Sequence, residues 1–339
     1  MSKKIISNIF NYATQEGAKD IVIEKLPKKI SINYLFPNGE ERTFGLPEKL
    51  EEELRATLRQ ILSLAPNDLT VKKYCKLKSK SACFNFYLTI LPSHNGEKMI
   101  VNLAPKENKI LRLKQLGLQS KAVKVLQAAI KHHSGLILIS SPACQGKGTT
   151  LYSLLRELDT IGRSSYFLGD GLEYDLDNIN CLINTKNNWN KVLNLDSDVI
   201  ITEIAKEEDL NNTFMAATTG RLVLATINAN SVWEVMLAVL KLKLPLKLKL
   251  DSLRLITNQR VVPLKRSHLK VAYQKANERQ NIGLFELLSL SPEIKKFLLE
   301  EESNKTKENF WENLSRLAIK NGYEPLSYDK QKKTKNGLI

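Results

Sequence analysis

Residues 134–155 read SGLILISSPACQGKGTTLYSLL: a short apolar run, a loop of small residues, then a helical segment that opens on Gly146 and Lys147. A strand this apolar belongs inside a sheet with helices packed over both faces, so the stretch constrains the fold more than any other. A loop between a buried strand and a helix also presents successive backbone N–H groups, helped by the helix dipole, to a phosphate. The pattern that normally does so, G-x-x-x-x-G-K-[ST], is kept only in part. Gly146 and Lys147 form the Gly-Lys pair, Ser141 stands at the first glycine, and Gly148 follows the lysine where a hydroxyl residue is the rule. The candidate nucleotide contacts are therefore Gln145, Gly146, Lys147, Gly148, Thr149 and Thr150. Lys147 would set its ammonium on the terminal phosphates as a point charge. Gly148 has nothing to offer Mg²⁺, and Thr149 beside it points about a hundred degrees away around the helix, so it would serve only if the loop shifted by one residue. Taken alone, the segment leaves a nucleotide site and an ordinary strand-to-helix turn equally open.

The chain has 339 residues, 42% of them hydrophobic, which is enough for two domains with ordinary cores. No run of about eighteen apolar residues occurs, so no membrane span is expected. The first twenty residues carry no small-residue cleavage site, which points to the cytosol. Cys75, Cys83, Cys144 and Cys181 are scattered without a C-x-x-C pair, fitting a reducing compartment and offering no zinc cluster. The net charge is +15, yet the lysines are spread out, few aromatics sit among them, and no RNA- or DNA-binding motif appears. A lysine-rich soluble surface is the reading, with an anionic partner or membrane face as the other option and nucleic acid not expected. The most concentrated basic stretch, KLKLPLKLKL from Lys241 to Leu250, alternates with period two but is interrupted by Pro245, and is read as a half-buried connector.

Along the chain, residues 1–104 read as a small α/β domain. DIVIE (Asp20–Glu24), KISINYLF (Lys29–Phe36), CFNFYLTILPS and KMIVNLA are expected strands, and LPEKLEEELRATLRQILSLA is an expected helix with acidic residues early. Residues 105–112 form a linker containing PKENK. From 113 to 339 strands alternate with helices: SGLILISS, SSYFLGD, DSDVIITE and RLVLATIN are the strands, implying a mostly parallel sheet. His132 and His133 are read as ending a helix, and Cys144 as a small residue that fits the turn.

These pieces, in this order, resemble the ATPase family of type II secretion and type IV pilus assembly. SPACQGKGTTLYSLL is similar to that family's GPTGSGKTTTLY loop, GAKDIVIE to its ASDIHIE, LPSHNGEKMIVNL to LPTxxGEKxVxRL, and LKQLGL to LxxLGL. GDGLEYDL stands where the family has the Asp box EDPVEY, and DSDVIITEIAKEED resembles its Walker B region, one residue shorter. AATTGRLVLATINANS resembles the His box AALTGHLVLSTLHTNS, while NQRVV and IGLFELLSLSPEI resemble AQRLV and xAIFELL. The resemblance implies an α/β protein with a PAS-like N-terminal domain, then a RecA-like P-loop domain with a helical C-terminal part. It implies ATP and Mg²⁺ as ligands and a hexameric ring, made of this chain alone or mixed with an active paralogue. It also implies docking on an inner-membrane platform protein, hence a cytoplasmic protein that is peripheral at the inner membrane.

Carried over residue by residue, the resemblance gives a divided result. Lys147 and the Walker B carboxylate Glu203 are present, as are Asp170 and Glu173 of the Asp box. The first acid of that box is Gly169, and the His box carries Arg221 and Asn228 in place of its histidines. Arg221 could supply positive charge near phosphate but cannot act as a neutral donor. Where the family places N-terminal arginines that neutralise phosphate charge, this chain has Tyr87 and Asn102, and the trailer after Walker B is Ala205-Lys206. Losing an arginine finger costs about a thousandfold or more in rate. The family's four-cysteine zinc module has no counterpart after Cys181, so no zinc is implied. Three readings stay open: a motor-family subunit that binds ATP weakly with little or no hydrolysis, an active divergent ATPase, and a nucleotide-independent scaffold.

Overall fold

The computed structural model describes residues 2–36, 39–61, 71–78, 83–103, 110–158, 163–169, 176, 179–182, 189–194, 196–265, 281–301 and 309–339. The chain divides into two compact units, residues 1–109 with 170–175, and residues 110–169 with 176–339. The linker segment PKENK and the Asp-box residues Asp170 and Glu173 lie outside the described residues.

The first unit is one antiparallel sheet of order β3-β2-β1-β6-β5-β4, with helices against it. Its strands are β1 (Asp20–Leu26), β2 (Lys29–Leu35), β3 (Glu41–Pro47), β4 (Val71–Lys78), β5 (Cys83–Ser93) and β6 (Gly96–Leu103). Alternate residues enter the core, Ile21 and Ile23 from β1, Ile30, Ile32 and Tyr34 from β2, and Phe86, Leu88 and Ile90 from β5. Such period-two burial is what a sheet covered on one face requires. The cover is α1 (Ser2–Glu16), which buries Ile6, Ile9, Phe10 and Ala13 at helical spacing, and α2 (Glu51–Ile61), which buries Leu54 and Leu58. The rings of Phe10 and Phe86 meet with centroids 4.7 Å apart. Helix α1 and strands β3 and β4 add to the four strands and one helix expected from the sequence.

Tyr34 is buried and its hydroxyl donates to Ile9 O at 3.4 Å. Desolvation, with Tyr12 nearby, pushes its pKa up to about 12 from 10.0. A raised pKa means that the folded state holds the proton longer than the unfolded one. The resulting stability is complete below pH 10 and is lost as pH climbs towards 12. Tyr34→Phe should therefore flatten the loss of stability of this unit between pH 10 and 12, measured as melting temperature against pH.

The second unit carries a seven-stranded sheet of order β13-β12-β7-β11-β10-β8-β9. Its strands are β7 (Gly135–Ser141), β8 (Ser165–Leu168), β9 (Ile179–Leu182), β10 (Val199–Ile204), β11 (Leu222–Asn228), β12 (Leu253–Pro263) and β13 (Asn281–Ser289). All neighbours pair in parallel except β12 with β13. Its helices are α3 (Ser120–Ile130), α4 (Lys147–Glu157), α5 (Trp189–Leu193), α6 (Glu207–Thr218), α7 (Val232–Lys241), α8 (Leu246–Ser252), α9 (Pro292–Glu300), α10 (Asn309–Lys320) and α11 (Leu326–Lys335). Every residue of β7 is buried, as a strand covered on both faces must be. Leu136, Leu138, Ile200, Val223 and Ala225 pack into one core with Phe214 of α6, Met236 of α7, Leu250 of α8 and Phe310 of α10. Their strand neighbours Ile137, Ile139, Ile201 and Leu224, equally buried, project from the opposite face.

The stretch Lys241–Leu250 is half-buried as expected, but its second half is helical. Pro245 sits at the N-cap of α8, Leu246 and Leu250 are buried one turn apart, and Lys249 is buried between them. The Lys249 ammonium donates to Leu240 O at 3.1 Å and Leu242 O at 3.0 Å, closing the end of α7. Among the described residues no helix is long and apolar enough to cross a membrane. His132 and His133 follow the cap of α3, which is Lys131, and both are exposed.

Candidate functional site

The sheet order places β7 between β11 and β12, so the loop after β7 emerges at the carboxyl edge with a strand on either side. In open α/β sheets that edge is where ligands bind. The loop turns through Cys144 at φ 58° and Gly146 at φ 79°, and α4 begins at Lys147. A left-handed backbone costs glycine little, which is why Gly146 suits the tight entry into the helix. Thr150 N donates to Gly146 O at 3.1 Å, closing the first turn of α4, the part of a helix whose N–H groups have no carbonyl of the preceding turn to bond.

The Lys147 ammonium folds over this loop. It donates to Asn228 Oδ1 at 2.6 Å and approaches Pro142 O at 3.4 Å and Ser141 O at 3.5 Å. Asn228 reaches it because β11 pairs with β7 and Asn228 lies directly opposite Ser141. Glu203 is exposed near the end of β10, opposite Thr226 of β11. It therefore stands on the same sheet edge, two strands from β7 and about 10 Å across the sheet.

The other candidates separate. Thr149 is exposed, whereas Thr150 is buried and gives its hydroxyl to Gln259 Oε1 at 2.7 Å. Gly148 lies on the first turn of α4 with no side chain. At Gly169 an added Cβ would lie 2.6 Å from the Phe167 ring, so an acid there would have to displace that ring. Arg221 sits at the start of β11, the opposite sheet edge, roughly 20 Å along the strand from Asn228. There its guanidinium binds Ser197 Oγ at 2.8 Å, Thr219 Oγ1 at 2.6 Å and Leu193 O at 2.9 Å, so it is remote from the loop of its own chain. Ala205 and Lys206 lead into α6, their N–H groups held by Asp209 Oδ2 at 3.1 and 3.0 Å. In the first unit, Asn102 donates to Asp20 Oδ1 at 2.8 Å and pairs across the sheet with Tyr87.

Two hollows open near this sheet edge. One of about 210 Å³ is lined by Leu116, Gly146, Thr149, Gln259, Ile282 and Phe285, a mainly apolar wall beside the helix start. The other, about 460 Å³, lies beyond Asn228 between α6 and α7. Chemically, this edge offers an ammonium, helix-start N–H groups, an apolar recess and, among the described residues, the carboxylate of Glu203. The residues fit the phosphates and base of a nucleotide. They do not fit a metal in the familiar way, because position 148 supplies no oxygen.

Sequence reading missed Gln259, Asn258 and Glu286. Asn258 donates to Ser140 Oγ at 2.8 Å and to Ala229 O at 3.0 Å, fixing the end of β7. The signals were the polar run Thr257–Arg260 inside the apolar strand LITNQRVV and the lone acid in IGLFELL, segments whose resemblance to the family gave no role to these side chains.

A family model described as type II/IV secretion system protein matches residues 1–327. A putative type II secretion system protein E of Escherichia coli K12 is 30% identical over 239 residues, covering 67% of this chain and 48% of the relative. The type IV pilus assembly ATPase PilB of Myxococcus xanthus is 26% identical over 269 residues, covering 76% and 48%. The chain thus spans about half the length of the curated relatives it matches. Among solved structures, the ATPase DotB of Legionella pneumophila superimposes with a TM-score of 0.71 at 17% identity, covering 100% of this chain and 94% of the other. The pilus retraction motor PilT with bound ADP gives 0.72 at 20% identity, covering 98% and 93%. At those identities the structures speak for the fold alone, a small N-terminal α/β domain followed by a RecA-like domain. With the family model spanning nearly all of it, the chain belongs to the type II/IV secretion system protein family.

Proposed function

We propose that this chain is a motor-type subunit of a type II secretion or type IV pilus machine that binds ATP weakly and turns it over slowly or not at all. What supports the reading is a Gly-Lys helix start at the end of a buried parallel strand, with no hydroxyl at position 148 and no carboxylate at position 169. Gly146 and Lys147 open α4 in the form a phosphate needs, with the ammonium already on the loop carbonyls. Position 148 offers no hydroxyl, and the Gly169 position is packed by Phe167. Nucleotide phosphate would take over the Lys147 ammonium from Asn228, and the base would enter the 210 Å³ recess. Among the described residues Glu203 is the sequence-derived carboxylate candidate for orienting water.

The names of the relatives, a secretion-system protein E and a pilus assembly ATPase, support assembly in such a machine. The subunit would form a ring with itself or an active paralogue and dock, from the cytoplasmic side, on a platform protein in the inner membrane. Its net charge of +15 suits a docking role at an anionic surface. Phosphate release tests the turnover claim. The wild type should release no more phosphate than Glu203→Gln, and clear release abolished by Glu203→Gln would make the chain an active, divergent motor.

A further inference from the structure

We propose that Gln259 is a positioning residue that holds the phosphate loop in its working shape. Its consequence for nucleotide rests on the function proposed above, but the latch itself does not. Gln259 lies on β12 and is 2% exposed. In the parallel pairing Thr257 stands opposite Ile139 and Asn258 opposite Ser140, so β12 runs on past the end of β7 and forms a wall beside the loop.

From that wall the Gln259 amide grips the loop at both ends. Its Nε2 donates to Gln145 O at 2.7 Å, and its Oε1 accepts from Thr150 Oγ1 at 2.7 Å. Gln145 answers in kind, its Oε1 accepting from Val261 N at 2.7 Å. The four residues bracketed between these ends are Gly146, Lys147, Gly148 and Thr149, whose N–H groups a phosphate would take. The latch also abuts the turn, because a Cβ at Gly146 would lie 3.2 Å from Gln259 Nε2 and 3.4 Å from Val261 Cγ2.

The amide supplies a donor at one end and an acceptor at the other. Leucine fills the space and makes neither bond. Glutamate keeps the bond from Thr150 but turns a negative oxygen on Gln145 O. Thr150, expected from the sequence to touch nucleotide, has its hydroxyl committed to this latch. A loop held in its bound shape binds with less ordering cost, so loosening it lowers affinity without removing a ligand contact.

The test is hydrogen exchange of the nucleotide-free full chain, read on peptides covering residues 144–150, followed by ATP titration. In Gln259→Leu those amides should exchange about tenfold faster while peptides from β10 and β11 stay unchanged, and Thr150→Val should reproduce part of the effect. ATP should bind roughly tenfold to thirtyfold more weakly, as two lost hydrogen bonds imply. The double variant should be no worse than Gln259→Leu alone, since both remove one shared bond. Should Gln259→Leu fail to fold, Gln259→Glu and Thr150→Val carry the same measurement.

Unchanged exchange at 144–150 in these variants would overturn the latch. Faster exchange with unchanged ATP affinity would overturn its positioning role. Faster exchange in variants of a wild type that binds no ATP would support the latch and sink the nucleotide reading instead.

Discussion

Lys147→Ala is expected to weaken ATP binding by about a hundredfold or more and to remove the thermal stabilisation that ATP gives the wild type. A hydrogen bond to a charged group contributes about 1.5–3 kcal/mol, and a phosphate chain takes more than one from an ammonium. Lys147 is half-exposed and its hydrogen bonds to Asn228, Ser141 and Pro142 go to neutral oxygens, so its loss should change the unliganded melting temperature little. Two measurements together settle the point: the melting temperature without ligand, and its rise at millimolar ATP. Lys147→Arg should restore only part of the affinity, because a planar fork does not replace a compact charge inside a tight loop. An ATP effect that survives in Lys147→Ala would place the nucleotide elsewhere.

The second large effect concerns stability. Glu286→Ala should destabilise the second unit by on the order of 4 kcal/mol, seen in chemical denaturation. Glu286 is 5% exposed on β13 and accepts three hydrogen bonds, from Val232 N at 3.0 Å, the Tyr323 hydroxyl at 2.8 Å and Leu326 N at 3.2 Å. It therefore ties the start of α7, the turn after α10 and the start of α11 to the sheet. Removing it leaves three donors without an acceptor, each costing about 1–3 kcal/mol. Burial and the neighbouring carboxylate also push the Tyr323 phenol well above its ordinary pKa, so it remains the donor throughout the usable pH range. Glu286→Gln keeps the size but turns an NH₂ towards some of these donors, and should lose an intermediate amount. A loss below about 1 kcal/mol in Glu286→Ala would show that the three donors find water instead.

How much of this was legible depended on range. The strands β1, β2, β7, β10 and β11 follow from apolar runs and alternation, and α4 from the helical segment behind the Gly-Lys pair. Helix α1 is hard to see in the sequence because its apolar residues Ile6, Ile9, Phe10 and Ala13 are diluted by lysine, asparagine and glutamine. Edge strand β3 carries little of the core, so its sequence shows no clear alternation. In α8 the period-two pattern outweighed the four-residue spacing of Leu246 and Leu250 that the fold uses.

At the site, the boxes named Lys147, Asn228 and Glu203, and the strand pairing brings all three to one sheet edge. It did not separate Arg221, which the direction of β11 carries to the other edge. Nor could it show that Thr150 bonds Gln259, a contact between residues 109 positions apart. Side chains that serve the loop from a distant strand leave no periodic mark, only a polar residue where an apolar one is expected.

In this reading the chain keeps a phosphate cradle and lacks a metal donor at position 148. A calorimetric titration of the purified wild type with ATP, run once with Mg²⁺ and once with a chelator, tests it most directly. Binding is expected in both conditions with affinities within about threefold, since Gly148 gives the metal nothing to hold. Binding that needs Mg²⁺, tightening tenfold or more when it is present, would contradict the claim, and so would no binding in either condition.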